Sequence, residues 1–379
     1  MKGLIAILFL STLGCTTSNP YYDPGKPHHT PTGFRNLAGP EKPGFSEFLA
    51  WQWERLRQGL PAQDAAKVPR AALDPSVLVN HQEGVRMTWL GHASVLLQVG
   101  PTNILLDPVF SERASPVAWA GPIRHVPLPI NPKDLPHIHL VLISHNHYDH
   151  LDEATVRGLS TQGGGPPVFL VPLGVDHWFS QKKIPGAKAM DWNDQFAFRN
   201  LRITFLPAHH WSRRTLTDTN ATLWGGFMVD QLADQIAHQP ESSKKIRSSA
   251  VVVAPASSAP ENNQPPQFRL FYAGDTGYAG IFSEIGQRFP KIDWALIPVG
   301  CYEPRWFMGA QHVDPPDAVK IFKDLNARNA LGVHWGGFRL CDESVEQPLV
   351  DLPAALKAAN IPPGVFTLWG VGESRLVSP

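Results

Sequence analysis

The chain has 379 residues, of which 17% are charged and 43% hydrophobic, and its formal net charge is zero. That length can bury one large core or two ordinary ones, and the balanced charge removes the basic footprint expected of a nucleic-acid-binding protein. With 37 prolines and 31 glycines, the composition points to many ordered loops on a rigid scaffold.

The first residues, "MKGLIAILFLSTLGC", read as a targeting segment: Lys2, an apolar run from Leu4 to Leu10, and small residues before Cys15. The run is too short for an ordinary transmembrane helix. "TLGC" resembles a bacterial lipobox, with Thr12 where an aliphatic residue is usual. The resemblance implies that Cys15 is acylated and becomes the mature N-terminus. With Thr16 in place of a retention aspartate, it implies anchorage in the outer membrane on its periplasmic side. An ordinary cleaved signal peptide is the alternative, and either reading exports the protein. Past Cys15 only Cys301 and Cys341 remain, and a disulfide and two free buried thiols are equally compatible with them.

Residues 16–45 are rich in Pro, Gly and Asn without a period and read as a tether; the domain is expected over 46–379. "FSEFLAWQWERLRQGL" has a helical pattern, for an accessory helix that packs on the domain or touches lipid. From Val85 the pattern turns to strands. "RMTWLG", "ASVLLQV" and "TNILLD" are short β-rich runs, the last two joined by "GP" as in a hairpin. "HLVLIS" is continuously apolar, as a fully buried strand is, and Asp152 then stands where it caps a helix over "EATVRGLS". Strands are expected in "PVFLVP", "DQFAFR", "LRITFLP", "FRLFYAGD", "WALIPVG" and "ALGVHWG". Helices are expected in "GVDHWFSQKK", "GIFSEIGQRF", "PPDAVKIFKDLN" and "LPAALKAAN". Residues 231–267 break the composition and read as a surface insertion or disordered loop. Strand blocks with helices between them, in two halves, suggest two sheets packed face to face with helices outside.

"SHNHYDHLD", residues 144–152, follows the buried strand and holds four ligand-type residues in six positions: His145, His147, Asp149 and His150. In extended backbone His145 and His147 point to the same side. Nitrogen and oxygen donors of this kind suit Zn²⁺, with manganese or iron also open. Other strand ends carry His209 and His210 ("FLPAHHWSRR"), Asp275 ("LFYAGDTGY", where Gly274 and Gly277 allow a tight turn) and His334 ("LGVHWGGF"). Each alone is weak evidence, but the order His-x-His-x-Asp-His, then His, Asp, His is specific.

That pattern resembles the metallo-β-lactamase superfamily, whose fold is an α/β four-layer αββα sandwich. The resemblance implies a hydrolase with two divalent ions. His145, His147 and His210 would hold one, Asp149, His150 and His334 the other, and Asp275 would bridge both. It favours His210 over His209, because "HHWSRR" matches a family Gln-His-Trp motif with His209 in the glutamine place. Within the superfamily the chain resembles the N-acylphosphatidylethanolamine-hydrolysing phospholipase D family. The stretches that carry this are "TWLGHASVLL", "LLDPVFSERASPVAWAGPIR", "SHNHYDHLD", "HHWSRRTLTDTNATLWGGF", "FYAGDTGY", "IPVGCYEPRWFMGAQHVDPPDAV", "VHWGGF" and "GESR". They cover roughly 85–375, in order. His209, Cys301 and the insertion depart from the pattern.

What the resemblance implies is phosphodiester hydrolysis, with Asp149 and Asp275 catalytic at the metals. His312 would protonate the leaving group or hold the phosphate. His92 and Asp107 would orient ligands by hydrogen bonding. Trp119, Trp211 and residues 306–308 ("WFM") would line an acyl groove or pack in the core. A phospholipid substrate and membrane contact through the lipid anchor follow from the same reading, and no interface signal fixes an oligomeric state. A lactonase or other ester hydrolase of the superfamily and a non-enzymatic envelope-binding lipoprotein are the competing readings.

Overall fold

The computed structural model describes residues 18–233, 253–254 and 265–377; Cys15 and most of the insertion lie outside the described residues. A small ribbon, β1 (His29–Thr30) and β2 (Gly33–Phe34), precedes α1 (Phe45–Gln58) and α2 (Pro75–Val79). The first half then runs β3 (Val85–Gly91), β4 (Ser94–Val99), β5 (Thr102–Leu106), β6 (Leu140–Leu142), α3 (Glu153–Ser160), β7 (Val168–Pro172), α4 (Val175–Gln181) and β8 (Ala187–Met190). The second half runs β9 (Gln195–Phe198), β10 (Leu201–Leu206), β11 (Gly226–Gln231), β12 (Val253–Ala254), β13 (Phe268–Tyr272), α5 (Ile281–Arg288), β14 (Trp294–Pro298), α6 (Arg305–Met308), α7 (Pro315–Asp324) and β15 (Asn329–Val333). It closes with α8 (Pro348–Ala358), β16 (Phe366–Thr367) and β17 (Ser374–Leu376).

Two large sheets result. One has seven strands in the order β17-β3-β4-β5-β6-β7-β8, the other eight in the order β12-β9-β10-β11-β13-β14-β15-β16. Each is antiparallel on one side and parallel on the other: β5 to β8 run parallel, as do β13 to β16. The "GP" hairpin forms as the pattern requires, with Val99 opposite Thr102.

Side-chain alternation explains the layering. On β4 to β7, Leu97, Ile104, Leu106, Leu140, Leu142 and Leu170 enter the large core shared with Phe205, Phe227 and Phe271 of the other sheet. Their neighbours Leu96, Leu105, Val141, Phe169 and Val171 face the opposite way and pack with Val156 and Leu159 of α3 and Phe179 of α4. Because "HLVLIS" feeds both layers, it is apolar at every position, and β6 is fully buried. The architecture is the four-layer αββα sandwich.

Two expectations change. The stretch read as a tether is packed against the domain over 18–36: Asn19, His28, His29 and Phe34 are buried, and the Tyr21 hydroxyl donates to Asp176 at 2.8 Å. Composition alone had suggested a linker, but these aromatic and polar side chains find partners on the sheet edge. Part of the insertion also joins the fold, as β12 adds an edge strand to β9.

Helix α1 lies on the surface and ends at Gly59, φ +72°. Trp51 fixes it, stacking on Phe307 at 4.7 Å and donating its indole N–H to Asp342 at 2.8 Å. Phe45, Leu49, Trp53 and Leu56 remain exposed. Among the described residues no helix is long and apolar enough to cross a membrane.

Candidate metal centre

Every expected ligand follows the C-terminal end of a strand, where loops meet between the two sheets. The β6–α3 loop supplies His145, His147, Asp149 and His150, and the segment after β10 supplies His210; Asp275 and His334 follow β13 and β15. Asp152 anchors the far end of the metal loop, capping α3 through Ala154 N–H (3.2 Å) and accepting from Ser111 N–H (3.0 Å). At Gly274, φ +64°, a Cβ would stand 2.8 Å from the Gly225 carbonyl oxygen and from Ser144 Cβ, so the turn that delivers Asp275 admits only glycine.

The structure brings all seven residues together in two adjoining groups. In the first, His145 Nε2 lies 2.7 Å and His210 Nε2 3.3 Å from His147 Nδ1. In the second, Asp149 Oδ2 lies 3.1 Å from His334 Nε2 and 3.2 Å from His150 Nε2. Asp275 Oδ2 sits between them, 3.2 Å from His150 and His334 Nε2 and 3.9 and 3.8 Å from His145 and His210 Nε2. His209 is turned away, its Nε2 2.9 Å from the Pro40 carbonyl.

Four imidazoles are oriented from behind. The far nitrogen of His150 donates to Asp107 (2.6 Å), that of His210 to the Gln311 carbonyl (2.9 Å) and that of His334 to the Gly300 carbonyl (3.3 Å). His145 Nδ1 meets Ser144 Oγ at 2.9 Å, and the Ser144 hydroxyl in turn donates to Asp107 at 2.5 Å. Each ring therefore turns its Nε2 inward, as second-shell partners do for metal-ligating histidines. Asp107 is a hub: it also accepts from Ser144 N–H at 2.7 Å and from the Tyr272 hydroxyl at 2.5 Å, across to the other sheet.

The donor set fits divalent cations. Asp275 Oδ1 is buried without a hydrogen-bond partner, which is costly unless something else binds it. Burial pushes His147 and His210 down to about 3, leaving neutral lone-pair donors. At His334 burial opposes protonation, but Asp275 and Asp149 outweigh it and raise the group to about 9. Burial likewise pushes Asp149 and Asp275 up, and the neighbouring histidines hold both well below the usual carboxylate range. The carboxylates thus demand positive charge between them, which a divalent ion supplies.

His312 reaches the same centre, with Nδ1 3.8 Å from Asp275 Oδ2 and no hydrogen-bond partner. Burial lowers it to about 3, so it stands neutral beside the ligands. Arg305 holds its loop, donating to the His312 carbonyl at 2.8 Å and pairing with Asp314 and Asp317.

Some neighbours escape local patterns. His92, expected only to orient ligands, lies 3.1 Å from Asp149 Oδ2 and belongs to one buried group of possible ligands with Asp149, His150 and His334. Arg214 braces the metal loop, donating to the Asn146 and Leu151 carbonyls at 2.8 Å each and covering the Tyr148 ring at 4.0 Å. His92, Asp107, Cys301 and His334 all hold positive φ without being glycine, the kind of backbone strain that gathers at functional sites. The "WFM" segment divides: Phe307 and Met308 are buried in a small core with Trp51 and the cysteines, while Trp306 is half-exposed. Trp119 is 81% exposed. Trp211 stands edge-on to His147 at 4.6 Å. Cys301 and Cys341 are joined in a disulfide beside this core.

A family model described as a beta-lactamase superfamily domain matches residues 102–250 and 264–335. The chain is 32% identical over 335 residues to the N-acyl-phosphatidylethanolamine-hydrolyzing phospholipase D 1 of Caenorhabditis elegans, covering 83% of this chain and 82% of that one. It is also 32% identical over 267 residues to the mitochondrial N-acyl-phosphatidylethanolamine-hydrolyzing phospholipase D of Saccharomyces cerevisiae, covering 69% of this chain and 49% of that one. Among solved structures, the isothiocyanate hydrolase from Delia radicum gut bacteria shares the fold, with TM-score 0.55 and 17% identity over 78% of this chain and all (100%) of that one. The chain therefore belongs to the beta-lactamase superfamily of metal-dependent hydrolases, in the family of the N-acyl-phosphatidylethanolamine-hydrolyzing phospholipases D.

Proposed function

We propose that the protein cleaves the phosphodiester of N-acylphosphatidylethanolamine-like phospholipids with water, giving phosphatidic acid and an N-acylethanolamine, at the envelope membrane to which Cys15 anchors it. The observation that carries the reading is the 32% identity to the Caenorhabditis elegans enzyme along 83% of the chain. The shell around the metal centre supports it. Lys42 and Arg213 place cations 4.8 and 5.7 Å from the Trp211 ring, beside His147, where an anionic phosphate would be received.

Two divalent ions, Zn²⁺ in this proposal, would supply Lewis-acid polarisation of the phosphoryl oxygens and a lowered pKa for a bound water. His145, His147 and His210 would hold one, and Asp149, His150 and His334 the other. Asp275, whose Oδ2 faces histidines of both groups, would serve both ions, and its free Oδ1 would orient the attacking water. His312 is neutral, so it enters as a hydrogen-bond partner to the phosphoryl group. An incoming phosphate raises its basicity, so the imidazole would take up the proton released by the attacking water and pass it to the departing oxygen. The exposed Phe45, Leu49, Trp53 and Leu56 of α1 support contact with a lipid surface, and the disulfide supports an oxidising, exported location.

The test is an assay of the metal-loaded protein on N-acylphosphatidylethanolamine vesicles alongside a panel of lactones, with Asp275→Asn as the control. Release of phosphatidic acid, lost in the variant, is the expected result. Brisk lactone opening without phosphatidic acid would shift the assignment to a lactonase.

A further inference from the structure

A second constellation of metal-ligand type lies outside the binuclear centre, on the segment first read as a tether. His29 opens β1 with His28 just before it, and Asp191 directly follows β8. His28 Nε2 is 2.7 Å from Asp191 Oδ1 and His29 Nε2 is 3.0 Å from Asp191 Oδ2, with all three side chains buried. These donor spacings fall within the 2.7–3.9 Å found between ligand atoms of the binuclear centre.

The surroundings orient the three groups. His29 Nδ1 has its shorter contact, 2.8 Å, to the Tyr21 carbonyl, which only accepts; the Asp23 N–H is farther, at 3.2 Å. These contacts fix the ring, and Nε2 faces Asp191. The His28 ring is fixed by stacking on Trp192 at 4.3 Å. Asp191 accepts from Trp192 N–H at 2.7 Å, and Lys26 Nζ reaches its Oδ2 at 2.5 Å, although 43% of the Lys26 side chain stays exposed to water. A partly exposed lysine on a buried carboxylate can leave without dragging the backbone.

We propose that His28, His29 and Asp191 form a third divalent-metal site, of the two-histidine, one-carboxylate type suited to zinc, manganese or iron. Lys26 neutralises Asp191 when the ion is absent and swings into solvent when it binds. The site clasps the segment 18–36 to the edge of the seven-stranded sheet. The far end of that segment touches the catalytic centre: Asn36 donates to the His210 carbonyl at 2.9 Å and accepts from His210 N–H at 3.2 Å. Occupancy of the third site thus steadies the backbone of a ligand in the binuclear centre. This assignment is independent of the substrate.

The test counts metal on the full chain, stripped with chelator, reloaded with Zn²⁺ and freed of excess ion. Three ions per chain are expected, falling to two in the His28→Ala/His29→Ala double variant. Lys26→Met guards against a double variant that fails to fold. Removing the competing ammonium should make the third ion harder to strip, whereas an ion-pair clasp alone predicts a lower melting temperature and no added metal retention. A further arm uses Asp275→Asn, in which Zn²⁺ should still raise the melting temperature through the third site. Two ions per chain in the unaltered protein, with no gain in Lys26→Met, overturn the proposal.

Discussion

Replacing Asp107 by Asn tests whether the metal centre is tuned from behind its ligands. The Asp107 carboxylate is fully buried and accepts four hydrogen bonds, from Ser144 N–H, Ser144 Oγ–H, His150 Nδ1–H and Tyr272 O–H. An amide keeps one oxygen for Ser144 N–H and turns an NH₂ toward the other three. The two hydroxyls can rotate and accept from it. His150 Nδ1 can accept only by giving up its proton, which moves the hydrogen to Nε2 and aims an N–H at Asp149 and Asp275 instead of a lone pair. Loss of such a partner costs about 10–100-fold in metal affinity, or about 1.4–2.8 kcal/mol at that site. The fold loses less than the number of contacts suggests, because only the His150 bond has no replacement; ~1.5–3 kcal/mol is the expected cost for a hydrogen bond to a charged group. Competition against a graded chelator gives the affinity, and urea unfolding of the metal-free protein gives the stability. Asp107→Asn with unchanged affinity for both ions would refute the tautomer argument. A large stability loss with unchanged affinity would make Asp107 a structural brace only.

Metal content should separate the adjacent histidines, falling in His210→Ala and holding in His209→Ala, whose Nε2 is engaged by the Pro40 carbonyl. Replacing Cys301 and Cys341 by Ser removes a cross-link spanning 40 residues and should cost ~4 kcal/mol by loop-closure entropy, read as a lower urea midpoint. His139 accepts Asn103 N–H at 3.0 Å and is lowered to about 4 by burial, Arg199 and His137. The unfolded chain takes up its proton first, so stability falls as pH drops from about 6.5 toward 4. Partial exposure reduces the effect to roughly 1–2 kcal/mol, and His139→Gln should flatten that slope in urea midpoints measured at pH 7 and pH 5. Stripping the metals should lower the melting temperature, since ions at 100 times their Kd add about 2.7 kcal/mol per site. An unchanged melting curve after chelation would show that the ligands are already satisfied without ions.

The candidate ligands were legible because metal binding demands particular residue types, and the fold places those types at strand ends where apolar runs stop. "LVLI" before "SHNHYDHLD" announces both a buried strand and the loop it delivers. Hydrogen-bond partners distant in sequence carry no such mark. Tyr272 meets Asp107 across 165 positions, and Arg214 meets Asn146 across 68; no periodicity links them. The positive φ at His92 and His334 is equally silent, since the usual glycine signal is absent where the site itself enforces the conformation. The N-terminal stretch misled for a different reason. Its prolines and glycines match a linker, but burial of His28, His29 and Phe34 depends on Asp191 and Trp192, which only the folded sheet edge provides.

The centre also explains why so polar a region can be buried. Its ligands come from both sheets: His145 to His150 from the seven-stranded one, and His210, Asp275 and His334 from the eight-stranded one. Each sheet therefore carries an incomplete set of imidazoles and carboxylates that alone would be costly to bury. Docking the sheets brings opposite needs together, and the Tyr272–Asp107 hydrogen bond spans the same interface. The hydrophobic core between the sheets supplies the driving force for docking, while the ligands fix its register, since a displaced sheet would leave the carboxylates facing no partner. The metal site is in this sense joined to the core, since the strands that deliver its candidate ligands carry Leu142, Phe205 and Phe271 into it.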